Sequence, residues 1–355
     1  MNKIYCIIVA IIVVISGPLS QAKTPVTDLP DISVIGNFLG AHQTNAFSFN
    51  VNEIELSLQH YLHPAIKADV ILGIHKESTG KHELGLEEAF LTVTDVVGVL
   101  FPQSTADWGV SAVVGKKLLG IGKVNPLHPE QWMFVDRPLI IKQVFGQEGG
   151  LSAEGGQLAY LLPTSFFSQV ELGLWTASPH DHASTSGAHS IEYANRLAHA
   201  RLWNSVALSD TNELEFGASY LIGNLTADSS TDMQHVVGLD VTYTKALNKI
   251  QSLTLQSEWY HARYGEEGEA RADQSGGFIG GTVKPSVDYE VGLRYGVLSK
   301  HGDEGHSKSQ VSVMASRQLM ETSKLRLQYS FGEQVDNTAY IQFIFGMGPH
   351  AHVLQ

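Results

Sequence analysis

The stretch Val287–Val297, V-D-Y-E-V-G-L-R-Y-G-V, alternates between two chemistries with a period of two residues. Its odd-numbered positions carry Val, Tyr and Leu, and its even-numbered positions carry Asp, Glu, Gly and Arg. Because successive side chains of a β-strand point to opposite faces, the stretch predicts a strand with one apolar and one polar face. Residues 237–244 and 324–331 show the same alternation. A sheet of such strands would separate an apolar surface from a wet one.

The chain contains a long series of segments that favour strands, and the connections between them alternate between short and long. Tight turns at one end and long loops at the other are typical of a transmembrane antiparallel β-barrel, and bacterial single-chain barrels have an even number of strands. The alternative all-β folds are a soluble sandwich or propeller, which do not need such regular separation of apolar and charged faces. Sixteen strands are predicted, at residues 32–40, 52–61, 66–75, 83–94, 108–116, 154–162, 166–176, 196–208, 212–223, 234–244, 250–263, 275–283, 287–299, 309–318, 323–331 and 338–345.

The N-terminus is typical of an export signal. Lys3 precedes the apolar run Ile4–Ile15, and Ser20-Gln21-Ala22 has the small residues of a cleavage site. An apolar run of about 12 residues is shorter than the roughly 20 that a membrane-spanning helix needs. We therefore predict a cleaved signal peptide at residues 1–22 and a single barrel domain at residues 23–355. Cys6, the one cysteine, lies in the signal peptide, which excludes disulfides and cysteine chemistry from the mature chain.

Charge and motifs exclude two classes of function. The 23 Lys and Arg residues against 36 Asp and Glu residues give a net charge of −13, which argues against a nucleic-acid partner. No G-x-S-x-G, H-E-x-x-H, phosphate-binding loop or dinucleotide fingerprint occurs in the sequence, so an enzyme is not predicted.

The longest connection, residues 117–153, is the third of the long loops. A barrel of sixteen strands is wide enough to hold water, and a long loop folded inward would narrow it. We predict an inward fold, with an outward surface cap as the alternative. Charges of both signs in a constriction act strongly on ions because the local dielectric constant is low. The predicted constriction residues are Lys116, Lys123, Asp136, Arg137 and Lys142.

The polar faces of the predicted strands give a set of side chains that would line the lumen. This set is more acidic than basic, which does not favour selectivity for phosphate. It comprises Glu53, Glu55, Asp69, Asp240, Asp288, Glu290, Arg294 and Arg326.

Sixteen histidines are present, and several of them cluster in the predicted long loops. His180, Asp181, His182 and His189 lie in one of these loops, and imidazole with carboxylate is a ligand set suited to zinc, copper or nickel. The functional hypothesis is weak capture of a divalent metal at the pore mouth. The alternative is simple loop composition, because no spacing here matches a preformed site. No other cofactor is predicted.

Seven segments of the sequence carry a family resemblance: Glu87–Thr92, Gly122–Pro129, Phe134–Leu139, Phe145–Gly149, Leu161–Pro163, Leu29–Gly36 and Leu56–Gly73. Together they resemble a sparsely characterised set of proteobacterial outer-membrane, porin-like proteins, distantly similar to phosphate-selective porins. The resemblance implies an outer-membrane barrel of porin type, and some members of this set are labelled zinc-regulated receptors. The chain departs from the usual pattern in continuing as a tail after Phe345, where such barrels commonly end on an aromatic residue.

The sequence therefore predicts a passive porin in the outer membrane of a Gram-negative bacterium, with small hydrophilic solutes or ions crossing a lumen narrowed by loop 117–153. The expected surroundings are outer-membrane lipid and lipopolysaccharide, and a homotrimer is left open. The alternative is a metal-binding or surface-interaction protein in which the barrel is a scaffold for His-rich loops.

Overall fold

The computed structural model shows a closed barrel of sixteen antiparallel strands, as predicted. It describes residues 29–44, 46–76, 82–104, 106, 108–146, 149–177, 193, 195–224, 233–264, 272–299 and 306–349. The predicted signal peptide, residues 1–22, lies outside the described residues. Among the described residues, neither helix has the length and hydrophobicity needed to cross a membrane as a helix.

Each strand pairs with its neighbours in the sequence, and β1 pairs with β16 to close the ring. Closure leaves no strand edge, so every strand has hydrogen-bonding partners on both sides. The strands are β1 Asp31–Gln43, β2 Ala46–His63, β3 Ile66–Lys76, β4 His82–Val93, β5 Val110–Leu118, β6 Ser152–Leu161, β7 Phe167–Ala177, β8 Asn195–Ser209, β9 Asn212–Asn224, β10 Met233–Ala246, β11 Ser252–Tyr264, β12 Ala272–Lys284, β13 Tyr289–Leu298, β14 Lys308–Met320, β15 Ser323–Glu333 and β16 Thr338–Met347.

The two faces of the wall follow the predicted alternation. On β13, Leu293 is 58% exposed on the outer surface, and its neighbour Arg294 is 3% exposed on the inner side. Val291 and Tyr295 share the outer face with Leu293. Apolar side chains therefore cover the outside of the barrel, which is the surface that a bilayer requires.

The connection between β4 and β5 lies at the end of the barrel where most connections are short turns, but it is longer than those turns. It contains the short helix α1, Val96–Leu100, which explains its length. The Asp95 side chain caps this helix by accepting a hydrogen bond from the Gly98 backbone N–H at 2.8 Å.

Between β5 and β6 the chain folds into the barrel, as predicted, and not over its outer surface. We call residues 119–151 the inner loop. It carries the second helix, α2, Leu139–Phe145. Among its described residues up to Gly146, each one is buried or half-buried. The inner loop is therefore packed against the wall throughout this part.

Candidate constriction site

Helix α2 packs against an apolar patch on the inner face of the wall. Ile140, Ile141 and Val144 are fully buried, and the ring of Phe145 meets that of Tyr260 edge-on at a centroid distance of 5.0 Å. The wall contributes apolar side chains where a water-filled barrel would carry polar ones. These are Trp175, Leu197, Leu221, Val236, Phe278 and Leu298. Burial of this patch gives a hydrophobic reason for the loop to enter the lumen.

Asp136 forms the best-paired contact between the inner loop and the wall. Its Oδ1 accepts hydrogen bonds from Arg294 Nη2 at 2.7 Å and from Gln328 Nε2 at 2.6 Å. Its Oδ2 accepts one from Lys142 Nζ at 3.1 Å. We call these four residues the Asp136 network. Burial alone would raise the pKa of Asp136, but the charges of Arg294 and Lys142 and the bond from Gln328 hold it well below its usual range.

The backbone beside Asp136 is held by the same part of the wall. Arg294 Nη1 donates to the Asp136 carbonyl at 2.6 Å, and Arg326 Nη1 donates to the Phe134 carbonyl at 3.2 Å. The Val135 N–H donates to Gln328 Oε1 at 2.7 Å. Strands β13 and β15 therefore fix both the backbone and the side chains of this segment.

Arg137 lies inside the inner loop and does not face open lumen. It is 1% exposed and donates to Asn125 Oδ1 at 3.2 Å and to the Gly146 carbonyl at 3.4 Å. Its guanidinium lies 5.5 Å from the ring centroid of Trp132. Burial lowers the pKa of Arg137 to about 10, so it stays charged at neutral pH. Its placement gives it a role in holding the loop together.

Lys123 contacts a different part of the wall, on β8 and β9. Its Nζ pairs with Glu215 and lies 4.9 Å from the ring centroid of Trp203. The backbone N–H groups of Lys123 and Val124 both donate to Glu258 Oε1, at 3.0 Å and 2.9 Å. The lysine side chain remains 24% exposed, so water reaches it.

Arg201 adds a second wall contact at this end of the loop. It donates to the Gly122 carbonyl, and its Nη2 pairs with Asp240 at 3.0 Å. Both side chains are nearly fully buried. This pair on β8 and β10 therefore fixes the start of the loop.

His128 attaches the loop to β2 and β4. Its Nδ1 lies 3.1 Å from Glu55 Oε2, and its Nε2 lies 3.1 Å from Glu88 Oε2. Burial would lower the pKa of His128, but the hydrogen bonds to both glutamates and the charges of Glu55 and Glu130 raise it well above its usual value. We call Glu53, Glu55, Glu88, His128 and Glu130 the His128 cluster.

Glu130 is the second loop member of this cluster. It is 2% exposed. Burial and the charge of Glu55 raise its pKa to about 8, although the charge of His128 acts in the other direction. The cluster thus brings four carboxyl groups around one imidazole, which leaves it rich in negative charge.

Residues 124–128 cross the lumen. The Val124 N–H bonds to Glu258 on β11, and His128 bonds to Glu55 on β2. These two strands are nine positions apart in one direction around the ring and seven in the other, so they lie on opposite sides. The backbone here is a turn, closed by the Leu127 N–H, which donates to the Val124 carbonyl at 3.2 Å, so the side chains of Glu258, Glu55 and His128 supply the rest of the distance between the two strands. The inner loop therefore contacts opposite sides of the wall.

Four of the five predicted constriction residues lie in the inner loop: Lys123, Asp136, Arg137 and Lys142. Lys116 does not join them. It follows the outward-facing Val114 by two residues, and its Nζ donates to the Leu86 carbonyl on β4 at 2.5 Å. Because residues two apart on a strand share a face, Lys116 lies on the outside of β5, and this corrects its predicted place at the constriction.

Most of the predicted lumen-lining residues face inward. Asp288 does not, because β13 begins only at Tyr289 and Asp288 lies exposed in the preceding turn. This corrects the prediction for Asp288. Glu290 is half-buried and pairs with the inward-facing Ser316. The buried members are Glu53, Glu55, Asp69, Asp240, Arg294 and Arg326.

The predicted metal ligands His180, Asp181, His182 and His189 lie outside the described residues, so this hypothesis stays a prediction. Glu88 and His128 were not among the predicted site residues, although both lie in segments that carry the family resemblance. The sequence signals that could have indicated them are a carboxylate, Glu88, on a predicted strand, and His128 two residues before Glu130 in a loop predicted to fold inward.

Comparison with solved structures supports the fold. An anion-selective porin from Comamonas acidovorans matches with a TM-score of 0.57 at 8% identity, covering 90% of this chain and 100% of that one. OmpF of Salmonella typhi, in a complex with daunomycin, matches with a TM-score of 0.58 at 10% identity, covering 90% and 97%. OmpT of Vibrio cholerae, in a trimer form, matches with a TM-score of 0.56 at 10% identity, covering 90% and 100%.

No family model matches the sequence, and no curated protein matches it. At identities of 8–10%, the likeness to these structures shows the barrel fold alone.

Proposed function

We propose that the protein is a narrow outer-membrane channel through which small hydrophilic solutes or ions diffuse passively, with the inner loop setting the size limit. The observation that carries this proposal is the crossing of the lumen by residues 124–128. A barrel of sixteen strands is wide enough to hold an aqueous channel. Where the inner loop crosses the lumen, it reduces the width of that channel.

Partly exposed charged groups inside the barrel support a wet path beside the loop. The side chains of Lys123 and Glu215 are 24% and 20% exposed, and those of Lys67 and Lys142 are 25% and 27% exposed. Charged side chains facing a lumen interact with passing ions and favour hydrated solutes. These four residues belong to different parts of the wall and of the loop, so the path is lined by both.

The outer surface supports a place in the outer membrane. Apolar side chains face outward along the strands, and a closed barrel satisfies its backbone within the hydrocarbon region. The expected surroundings are outer-membrane lipid and lipopolysaccharide, reached after cleavage of the signal peptide. OmpT of Vibrio cholerae has this fold and is described in a trimer form, so a homotrimer is proposed here too, with cross-linking of intact membranes as its test.

Single-channel recording in planar bilayers tests the channel directly. We expect small, uniform conductance steps from the folded wild-type chain. In a Lys123→Cys variant, a bulky charged thiol reagent should reduce the step size, because Lys123 is partly exposed in the lumen. The reagent reports this site alone, since Cys6 lies in the predicted signal peptide.

A Glu321→Cys variant serves as the matched control, because Glu321 lies in the exposed turn between β14 and β15. The reagent should leave its step size unchanged. Absence of steps from wild-type protein, or equal responses from the two cysteine variants, would contradict the proposal. Liposome swelling with sugars of increasing size then measures the size limit.

A further inference from the structure

Three potential metal ligands meet inside the barrel at the His128 cluster. Glu53 and Glu55 are consecutive inward-facing residues of β2, two positions apart, and His128 belongs to the inner loop. Each of the three places one ligand atom within 4.8 Å of the other two. All three residues are buried, with Glu55 at 1% exposure. Carboxylate oxygen and imidazole nitrogen are the donors found in protein sites for transition metals.

A second observation points to a missing cation. Glu55 Oε1 and Glu130 Oε1 are both buried and have no hydrogen-bond partner among the described residues. Buried polar groups in native proteins are almost always paired, and buried charges are paired or coordinate metals. An ion at the His128 cluster would supply the partner that Glu55 lacks.

We propose that the His128 cluster binds one divalent transition-metal cation through Glu53, Glu55 and His128 Nδ1. This site is independent of the proposed channel activity and of the histidines in the outer loops. Zn²⁺ is the probe, because a mixed nitrogen and oxygen donor set suits zinc, whereas Ca²⁺ and Mg²⁺ take oxygen ligands.

The position of Glu88 fits this assignment. It accepts from the other ring nitrogen, His128 Nε2, at 3.1 Å. A carboxylate on the second nitrogen of a ligating histidine fixes the orientation of the ring and strengthens it as a ligand. Glu130 or a water molecule completes the coordination.

The distances allow one ion after a small contraction. Donor atoms around a tetrahedral zinc lie about 3.4 Å apart, given metal–ligand distances of about 2.1 Å. The three atoms here lie within 4.8 Å of one another, so rotations of the glutamate side chains must bring them closer by up to about 1.4 Å. Bound metal would join β2 to the inner loop directly, through Glu55 and His128.

Zinc titration of the full chain in detergent, monitored by calorimetry, tests the proposal. The titration uses a background in which His180, His182 and His189 are replaced by Ala, so that these residues cannot compete. We expect one high-affinity site in this background, loss of it in Glu55→Gln, and a decrease in affinity of about 10- to 100-fold in Glu88→Gln.

Glu171→Gln is the matched control, because Glu171 faces the lumen from β7 outside the cluster. It should bind zinc as the background does. A shift in electrophoretic mobility on heating shows that each variant is folded. Absence of zinc binding in the folded background, or unchanged affinity in folded Glu55→Gln, would overturn the proposal. Conductance is also measured with and without a chelator. Conductance steps that persist in chelator show that the channel proposal can hold even if the metal proposal fails.

Discussion

The inner loop is attached to the wall in two contrasting ways. In the Asp136 network, one carboxylate meets Arg294, Lys142 and Gln328, and both of its oxygens accept hydrogen bonds. In the His128 cluster, several carboxylates share one imidazole, and Glu55 Oε1 has no partner among the described residues. The first attachment is complete in itself, and the second has an excess of negative charge.

This difference teaches where the loop is fixed permanently and where its attachment can respond to its surroundings. A buried ion pair with all of its hydrogen bonds made is costly to break, because removal of one partner leaves a charge uncompensated. In a cluster with excess negative charge, the stability of the attachment instead depends on the proton or cation that neutralises this charge. We therefore expect the β13–β15 side to be constant and the β2–β4 side to be adjustable.

Asp136→Ala should have the largest effect, because it leaves Arg294 buried without its carboxylate. We expect a loss of about 3–5 kcal/mol in the free energy of unfolding, together with larger conductance steps. Urea unfolding in lipid vesicles, followed by tryptophan fluorescence, measures the loss. The control is Asp273→Ala, which breaks an ion pair with Arg263 whose side chains are 50% and 52% exposed. Asp273→Ala should lower the free energy of unfolding by less than about 1 kcal/mol. Equal losses in the two variants would contradict the proposed role of the Asp136 network.

Ile140→Ala tests the apolar part of the attachment. Ile140 is fully buried in α2, so its truncation should cost about 3 kcal/mol through lost burial and a cavity. Leu139→Ala, at a partly buried position of the same helix, should cost less. The same unfolding assay reports both values, and a larger cost at Leu139 would contradict the observed packing.

The Asp136 network also predicts a dependence on pH. Because the pKa of Asp136 is lowered in the folded protein, its contribution is fully present above the ordinary aspartate pKa and is lost as pH falls below it. The difference in unfolding free energy between wild type and Asp136→Asn should be about 2 kcal/mol at neutral pH. It should stay constant down to pH 5 and shrink below about pH 4. A difference that disappears near pH 6 would show that another group is responsible.

Glu55→Gln should have the smallest effect in chelator-treated protein. His128 retains Glu88 as a partner, and removal of one negative charge relieves repulsion from Glu53. We expect a change within about 1 kcal/mol, measured by the same urea unfolding. A loss as large as that of Asp136→Ala would mean that the two attachments do not differ in kind.

The strands could be predicted from the sequence because their signal is local. Alternation at Val291, Leu293 and Arg294 requires only that neighbouring side chains point to opposite faces. The length and position of the third long loop sufficed to predict its inward fold. The ends of strands were harder to predict, as Asp288 shows. A strand ends where its hydrogen bonds to the neighbouring strand end, and that depends on the neighbour as well as on the local sequence.

The contacts of the inner loop could not be predicted, because they join residues far apart in the sequence. His128 and Glu55 are brought together by a crossing of the lumen, and neither residue indicates the other. The apolar patch around Leu221 and Val236 was missed for a related reason. Apolar residues on an inward face conflict with a water-filled interior until α2 is known to cover them.

The pairing of β1 with β16 has a consequence for the order in which the molecule can form. The ring can be sealed only after the last strand is available, and Arg294 and Gln328 arrive late because they lie on β13 and β15. Glu55 and Glu88 precede the inner loop in the chain, so His128 can meet them first. The contact of His128 with Glu55 and Glu88 therefore needs only strands from the first part of the chain, whereas the Asp136 network needs strands next to the closing seam.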